Sequence, residues 1–154
     1  MIQKLRTRAQ SEGGFTLVEL LVVMLILGLL AAIAIPSFFN QRDKARDADA
    51  KSAARTAQTA METYATDNQG SYANATVALL EGIEATLTDI PDGDLTVASG
   101  ADSYSVTVES DTGNFFQIAR AAGGTTTLSC GATNTAGVLT EPGEAGCPTN
   151  GSWG

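Results

Sequence analysis

Residues 11–36, SEGGFTLVELLVVMLILGLLAAIAIP, decide the fold. From Leu20 to Ile35 run sixteen residues without a charge or a hydroxyl, Phe15 to Val18 extend the block at its front, and Glu19 stands inside it. As a helix, Phe15 to Ile35 measures about 30 Å, the thickness of a bilayer core. An ionised acid near the centre of such a helix costs about 2.5–3.5 kcal/mol, so Glu19 needs a reason to be there. Lys4, Arg6 and Arg8 precede the block, an excess of bases that puts the N-terminus in the cytoplasm and the remainder outside. An ordinary signal peptide would offer Ala32-Ile33-Ala34 as its cleavage site, but its apolar region is shorter and would not hold an acid. A plain anchor leaves Glu19 unexplained. Thr16 and Glu19 also spell T-x-x-E, the capping box of a helix start.

Gly13 to Leu21, GGFTLVELL, resembles the processing and methylation motif of type IV prepilins and pseudopilins, in which a short basic leader ends in Gly and an acid follows at a fixed offset. The resemblance is strong over the first 25 or so residues and looser over the rest of the helix. It implies a leader over 1–14, cut after Gly14 by a prepilin peptidase; Phe15 as the new, N-methylated first residue; and Glu19 as the acid of assembly. Cutting before Phe15 creates a cationic amine, which the Glu19 carboxylate of a neighbouring copy can meet in a low-dielectric fibre core. The implied fold class is α+β, the type IV pilin fold: a long N-terminal helix with a transmembrane first half, packed on a C-terminal antiparallel sheet. Segments 15–38 would be the transmembrane and filament-core half of that helix, and 39–154 the globular head.

Downstream, the chain turns polar and Ala-rich with neither Gly nor Pro from Ser37 until Gly70. Ala50, Ala54, Ala57, Met61 and Tyr64 recur at steps of three and four, one apolar stripe. Asp47 and Lys51 stand at i,i+4 and, with Arg55, read as the wetted side. One helix is expected from about Phe15 to Asp67. Pro36 removes a donor and predicts a kink near Ala32, and the resemblance implies that the segment between Gly28 and Pro36 can unwind in a filament. Asn68 to Tyr72, NQGSY, is similar to the turn that ends this helix in the family, with Gln69 inserted. Leu79, Ile83 and Leu87 predict a short helix, and Asp89 to Asp94, DIPDGD, a turn. Strands are expected from Leu95, Tyr104, Phe115 and Thr125, as a meander whose apolar face lies on the Ala stripe.

With no His in the sequence, Ser-His-Asp and Cys-His nucleophiles and His-ligated metals are excluded. Beyond Arg55 the only base is Arg120, and so acidic a distal half repels phosphate, which argues against nucleic-acid binding by the head. Cys130 and Cys147 are the only cysteines and fall in the part expected outside the cell, where a disulfide is permitted. Such a bond would bound the Gly-, Thr- and Asn-rich tail, similar to the C-terminal loop of many type IV pilins. Asp89, Asp92 and Asp94 are weak Ca²⁺ candidates by analogy with major pseudopilins, without the EF-hand spacing. No cofactor is implied. The sequence thus predicts a non-enzymatic pilin, held in the cytoplasmic membrane by one pass before assembly and extracellular in a pilus afterwards. Its partners would be copies of itself, the prepilin peptidase and the inner-membrane assembly machinery. The alternatives are a major pseudopilin of a type II secretion system and, less well supported, a secreted binding domain behind a signal peptide.

Overall fold

The computed structural model describes residues 14–135, 137–140 and 146–154; all but the last residue of the expected leader, together with Glu141 and Glu144, lies outside the described residues. Helix α1 spans Leu17–Asp67 and is helical throughout, including at Gly28 and Pro36. The chain divides into two compact units between Phe39 and Asn40, and α1 contributes to both.

In the first unit the apolar side chains are exposed one after another: Phe15 is 80% exposed, Leu17 77% and Ile33 77%. No other described residue covers them. This stretch has a mean hydropathy of 2.9 with none of it buried, the character of a helix that lipid or other copies must enclose.

In the second unit α1 turns one stripe inward. Ala50, Ala54, Ala57, Ala60, Met61 and Ala65 are buried, and the small alanines let the sheet approach closely. The helix stops where Gln69 and Gly70 adopt positive φ, with the Gly70 amide donating back to the Ala65 carbonyl at 2.7 Å. Next come α2 (Val77–Ile83), a 3₁₀ turn (Ala85–Asp89), and strands β1 (Leu95–Ser99), β2 (Tyr104–Glu109), β3 (Phe115–Arg120) and β4 (Thr126–Gly131). The four strands form an antiparallel meander in sequence order, as their alternation and turns predict.

Register explains the two faces. Val97 pairs with Val106, Val106 with Ile118, Val108 with Phe116, and Phe116 with Cys130, which puts these side chains on one face. Val106, Phe116 and Ile118 are fully buried, and each such side chain contributes about 1.5–3 kcal/mol of burial. On the opposite face Thr107 and Gln117 are also buried, which alternation alone does not foresee. The Gln117 amide donates to Thr107 Oγ1 at 3.0 Å and to the Gly137 carbonyl at 2.9 Å. Gly137 sits in a small hairpin, β5 (Thr133–Thr135) and β6 (Val138–Thr140), that the sequence reading treats as irregular tail.

Two further expectations need correction. The Leu79–Ile83–Leu87 spacing predicts one helix, but Glu84 leaves helical geometry and caps both α2 and the 3₁₀ turn, so the buried residues are Leu80 and Leu87 while Leu79 and Ile83 are exposed. Asp47 is not on the wetted side: it is completely buried.

Candidate functional site

At the N-terminal end Thr16 Oγ1 accepts a hydrogen bond from the Glu19 amide at 3.2 Å, the Thr half of the capping box, one turn before the helix is fully formed. This bond uses the Glu19 backbone, and among the described residues its carboxylate has no partner. Glu19 is exposed among exposed apolar neighbours. Among the described residues nothing lies within 4 Å of where a Cβ would stand on Gly14 or Gly28, so packing against those residues explains neither glycine. Gly14, Phe15 and Glu19 thus stand at the start of an apolar helix that no other described residue covers.

In the head, Cys130 and Cys147 are bonded, with Cα atoms 5.7 Å apart. The bond holds the tail against β4, where the Cys130 amide also donates to the Gly151 carbonyl at 2.7 Å and Trp153 Nε1 donates to the Ser129 carbonyl at 2.8 Å. Trp153 meets the Phe116 ring edge-on at 6.0 Å, and the Arg55 guanidinium lies 5.2 Å from its ring centre.

Two carboxylates on α1 tie the helix to everything else. Asp47 Oδ1 accepts from Ser110 Oγ at 2.7 Å and from Thr112 Oγ1; Oδ2 accepts from Asn114 Nδ2 at 2.9 Å and from the Gly146 amide at 2.7 Å. The Gly146 carbonyl in turn accepts from Lys51 Nζ at 2.6 Å. One helix turn therefore grips both the β2–β3 turn and the residue beside Cys147. A Cβ on Gly146 would stand 2.5 Å from the Asp47 Cβ, so the contact requires glycine.

Glu62 is the second tie. Its carboxylate accepts from Tyr72 Oη at 2.8 Å and from Tyr104 Oη at 2.9 Å, with Arg120 Nη1 at 3.7 Å. The two rings lie 4.7 Å apart. Burial first, and the Glu62 carboxylate second, push both phenols above their ordinary value of 10.0. An unfolded chain releases these protons near pH 10, whereas the folded one keeps them to higher pH. The folded state then binds more protons, so stability is untouched below about pH 10 and falls above it. The expected result is a melting temperature that declines from about pH 10 upward, with a shallower decline in Tyr104→Phe. Ionisation of all the tyrosines near pH 10 without loss of fold, read at 295 nm, would refute it.

Asp89 closes the 3₁₀ turn, Asp92 is exposed, and Asp94 opens the approach to β1, its amide on the Pro91 carbonyl at 3.1 Å. Among the described residues no three carboxylates or cysteines converge as a metal site.

Comparison with known proteins follows the same division of the chain. Residues 10–35 match the family of the prokaryotic N-terminal methylation motif, and residues 36–134 match the family described as type IV minor pilin ComP, DNA uptake sequence receptor. The chain is 30% identical over 95 residues to the type IV wide pilus major component PilA4 of Thermus thermophilus, an alignment covering 62% of this chain and 71% of that one. It is 38% identical over 61 residues to the type II secretion system core protein G of Klebsiella michiganensis, covering 40% of this chain and 43% of that one. It is 38% identical over 63 residues to the type IV major pilin protein PilA of Myxococcus xanthus, covering 40% and 29%. The chain thus spans less than half the length of these last two relatives. No solved structure matches it.

Proposed function

For a chain that belongs to the type IV pilin family, we propose the role of structural subunit of an extracellular filament, made as a membrane-inserted precursor, cut after Gly14 and methylated on Phe15. The observation that carries this reading is the apolar half of α1, uncovered among the described residues, with Glu19 near its start and its carboxylate without a partner there. In the membrane, lipid covers the helix; in a filament, other copies do, and Glu19 gains the Phe15 amine of a neighbour. Export of the head with the N-terminus inside follows from the bases before the helix. A prepilin peptidase and the inner-membrane assembly machinery are the partners that this life history requires.

The DNA role in the description of the matching family does not carry over easily. Residues 40–154 hold six bases against fifteen acids, a net of −9, and such a surface repels phosphate. Likeness to the type II secretion core protein G keeps a pseudopilin as the second reading. The disulfide-bounded tail favours the pilus; folding that depended strongly on Ca²⁺ would favour the pseudopilin.

The experiment is the intact mass and N-terminal peptide of protein sheared from cells without reductant. A chain starting at methylated Phe15 and lacking two hydrogens for the Cys130–Cys147 bond is the expected result. A start near Ile35 would mean that Glu19 left with a discarded signal peptide, and the filament reading would fall.

A further inference from the structure

Between the helix and the β1 side of the head lies a groove of about 190 Å³. That is below the roughly 300–1,000 Å³ of small-molecule sites, and suits one or two side chains. Its floor is apolar, formed by Ala50, Ile90 and Val108, while Asp49, Asp89 and Asp94 stand on its rim. The rim is held in place by backbone bonds: the Asp94 amide donates to the Pro91 carbonyl, and the Glu109 amide donates to the Asp94 carbonyl at 2.8 Å. Among the described residues Arg46 is the one base that lines the groove, and it is engaged with Asp111 at 3.7 Å. An apolar floor under an acidic rim matches a long cation, whose methylene stem lies on the floor while its head meets the carboxylates.

The same chain displays the complementary feature. Arg42 and Lys44 are exposed on α1 and form no ion pair among the described residues. We propose that the groove receives Arg42 and Lys44 of a second copy of this chain, an inference that rests on the filament reading. A patch and its complement at different places on one chain make a head-to-tail contact, which propagates rather than closing as a dimer. Heads that each carry a net −9 repel one another, and this contact sets two exposed bases against the acidic rim of the groove.

The test uses full-length chains in assembling cells. Asp49→Lys with Asp89→Lys should cut sheared filament by roughly tenfold or more, as like charges replace a complementary pair. Adding Arg42→Glu and Lys44→Glu to the same chain should restore it. In a separate variant, Lys44→Cys with Asp89→Cys should yield a ladder of dimers and larger species when intact filaments meet a short bismaleimide. Undiminished filament from the first variant, or monomers alone after crosslinking, would overturn the groove contact. Filament that needs Ca²⁺ yet is indifferent to Arg42 and Lys44 would overturn it in favour of a bound cation. If the unaltered chain formed no filament, the subunit reading itself would fail and the contact with it.

Discussion

Glu19→Ala leaves the chain cleaved and membrane-held but removes most or all of its filaments. Among the described residues the carboxylate has no partner: the Thr16 cap takes the Glu19 amide, which alanine also supplies. The substitution therefore deletes a charge without unwinding the helix start. Opposite charges 4 Å apart attract by about 4 kcal/mol at an effective dielectric near 20, before desolvation is set against it. A copy lacking the acid would bury the Phe15 amine of its neighbour without a partner, the expensive half of a broken pair. Glu19→Gln sharpens the test, because glutamine still satisfies a T-x-x-E/Q capping box but carries no charge. If the pair with the neighbour matters, Gln behaves like Ala; if capping is the whole role, Gln assembles normally. Sheared fibre yield beside an N-terminal sequence decides, and normal yield from Glu19→Ala would sink the pairing argument.

Much of this was legible in the sequence because the signals are local. A long apolar run, an Ala stripe at steps of three and four, and strands that alternate between Gly-bearing turns each state their own geometry. The four strands start within a residue of where their alternation puts them. What could not be read is contact between distant residues. Nothing near Glu62 announces Tyr104, 42 positions away, and the β5–β6 hairpin has only Ala136, Val138 and Leu139 as apolar material in a stretch of Thr, Asn and Gly. Asp47 is different, since the signal was present. It lies three residues before Ala50, on the buried stripe itself, but was read with Lys51 as an exposed i,i+4 pair. An acid at a stripe position is a statement that donors converge on it from elsewhere, because an unpaired buried charge is not tolerated.

That makes Asp47 the residue whose loss should hurt the head most. Asp47→Ala removes the acceptor for Ser110, Thr112, Asn114 and the Gly146 amide at once. The two hydroxyls can turn to other acceptors, but the Gly146 N–H cannot; a donor left alone costs about 1–3 kcal/mol, and each lost bond to a charged acceptor about 1.5–3 kcal/mol. A total of about 3–5 kcal/mol is expected, against a typical domain stability of about 5–15. Asp47→Asn should cost less, since its carbonyl can face Asn114 and Gly146 while its amide donates to the Ser110 and Thr112 hydroxyls. Gly146→Ala attacks the same joint from the other side, forcing a methyl into Asp47. The Cys130–Cys147 bond, worth about 3 kcal/mol for a loop of this length, also holds Gly146 at the carboxylate. Removing it by Cys130→Ser with Cys147→Ser and then adding Asp47→Ala should therefore cost less than the two losses summed, because the first change already loosens the Gly146 contact. Urea unfolding of the four chains in detergent measures this. Strict additivity would mean that disulfide and carboxylate act separately, and an Asp47→Ala chain as stable as the parent would show that the four donors find other acceptors.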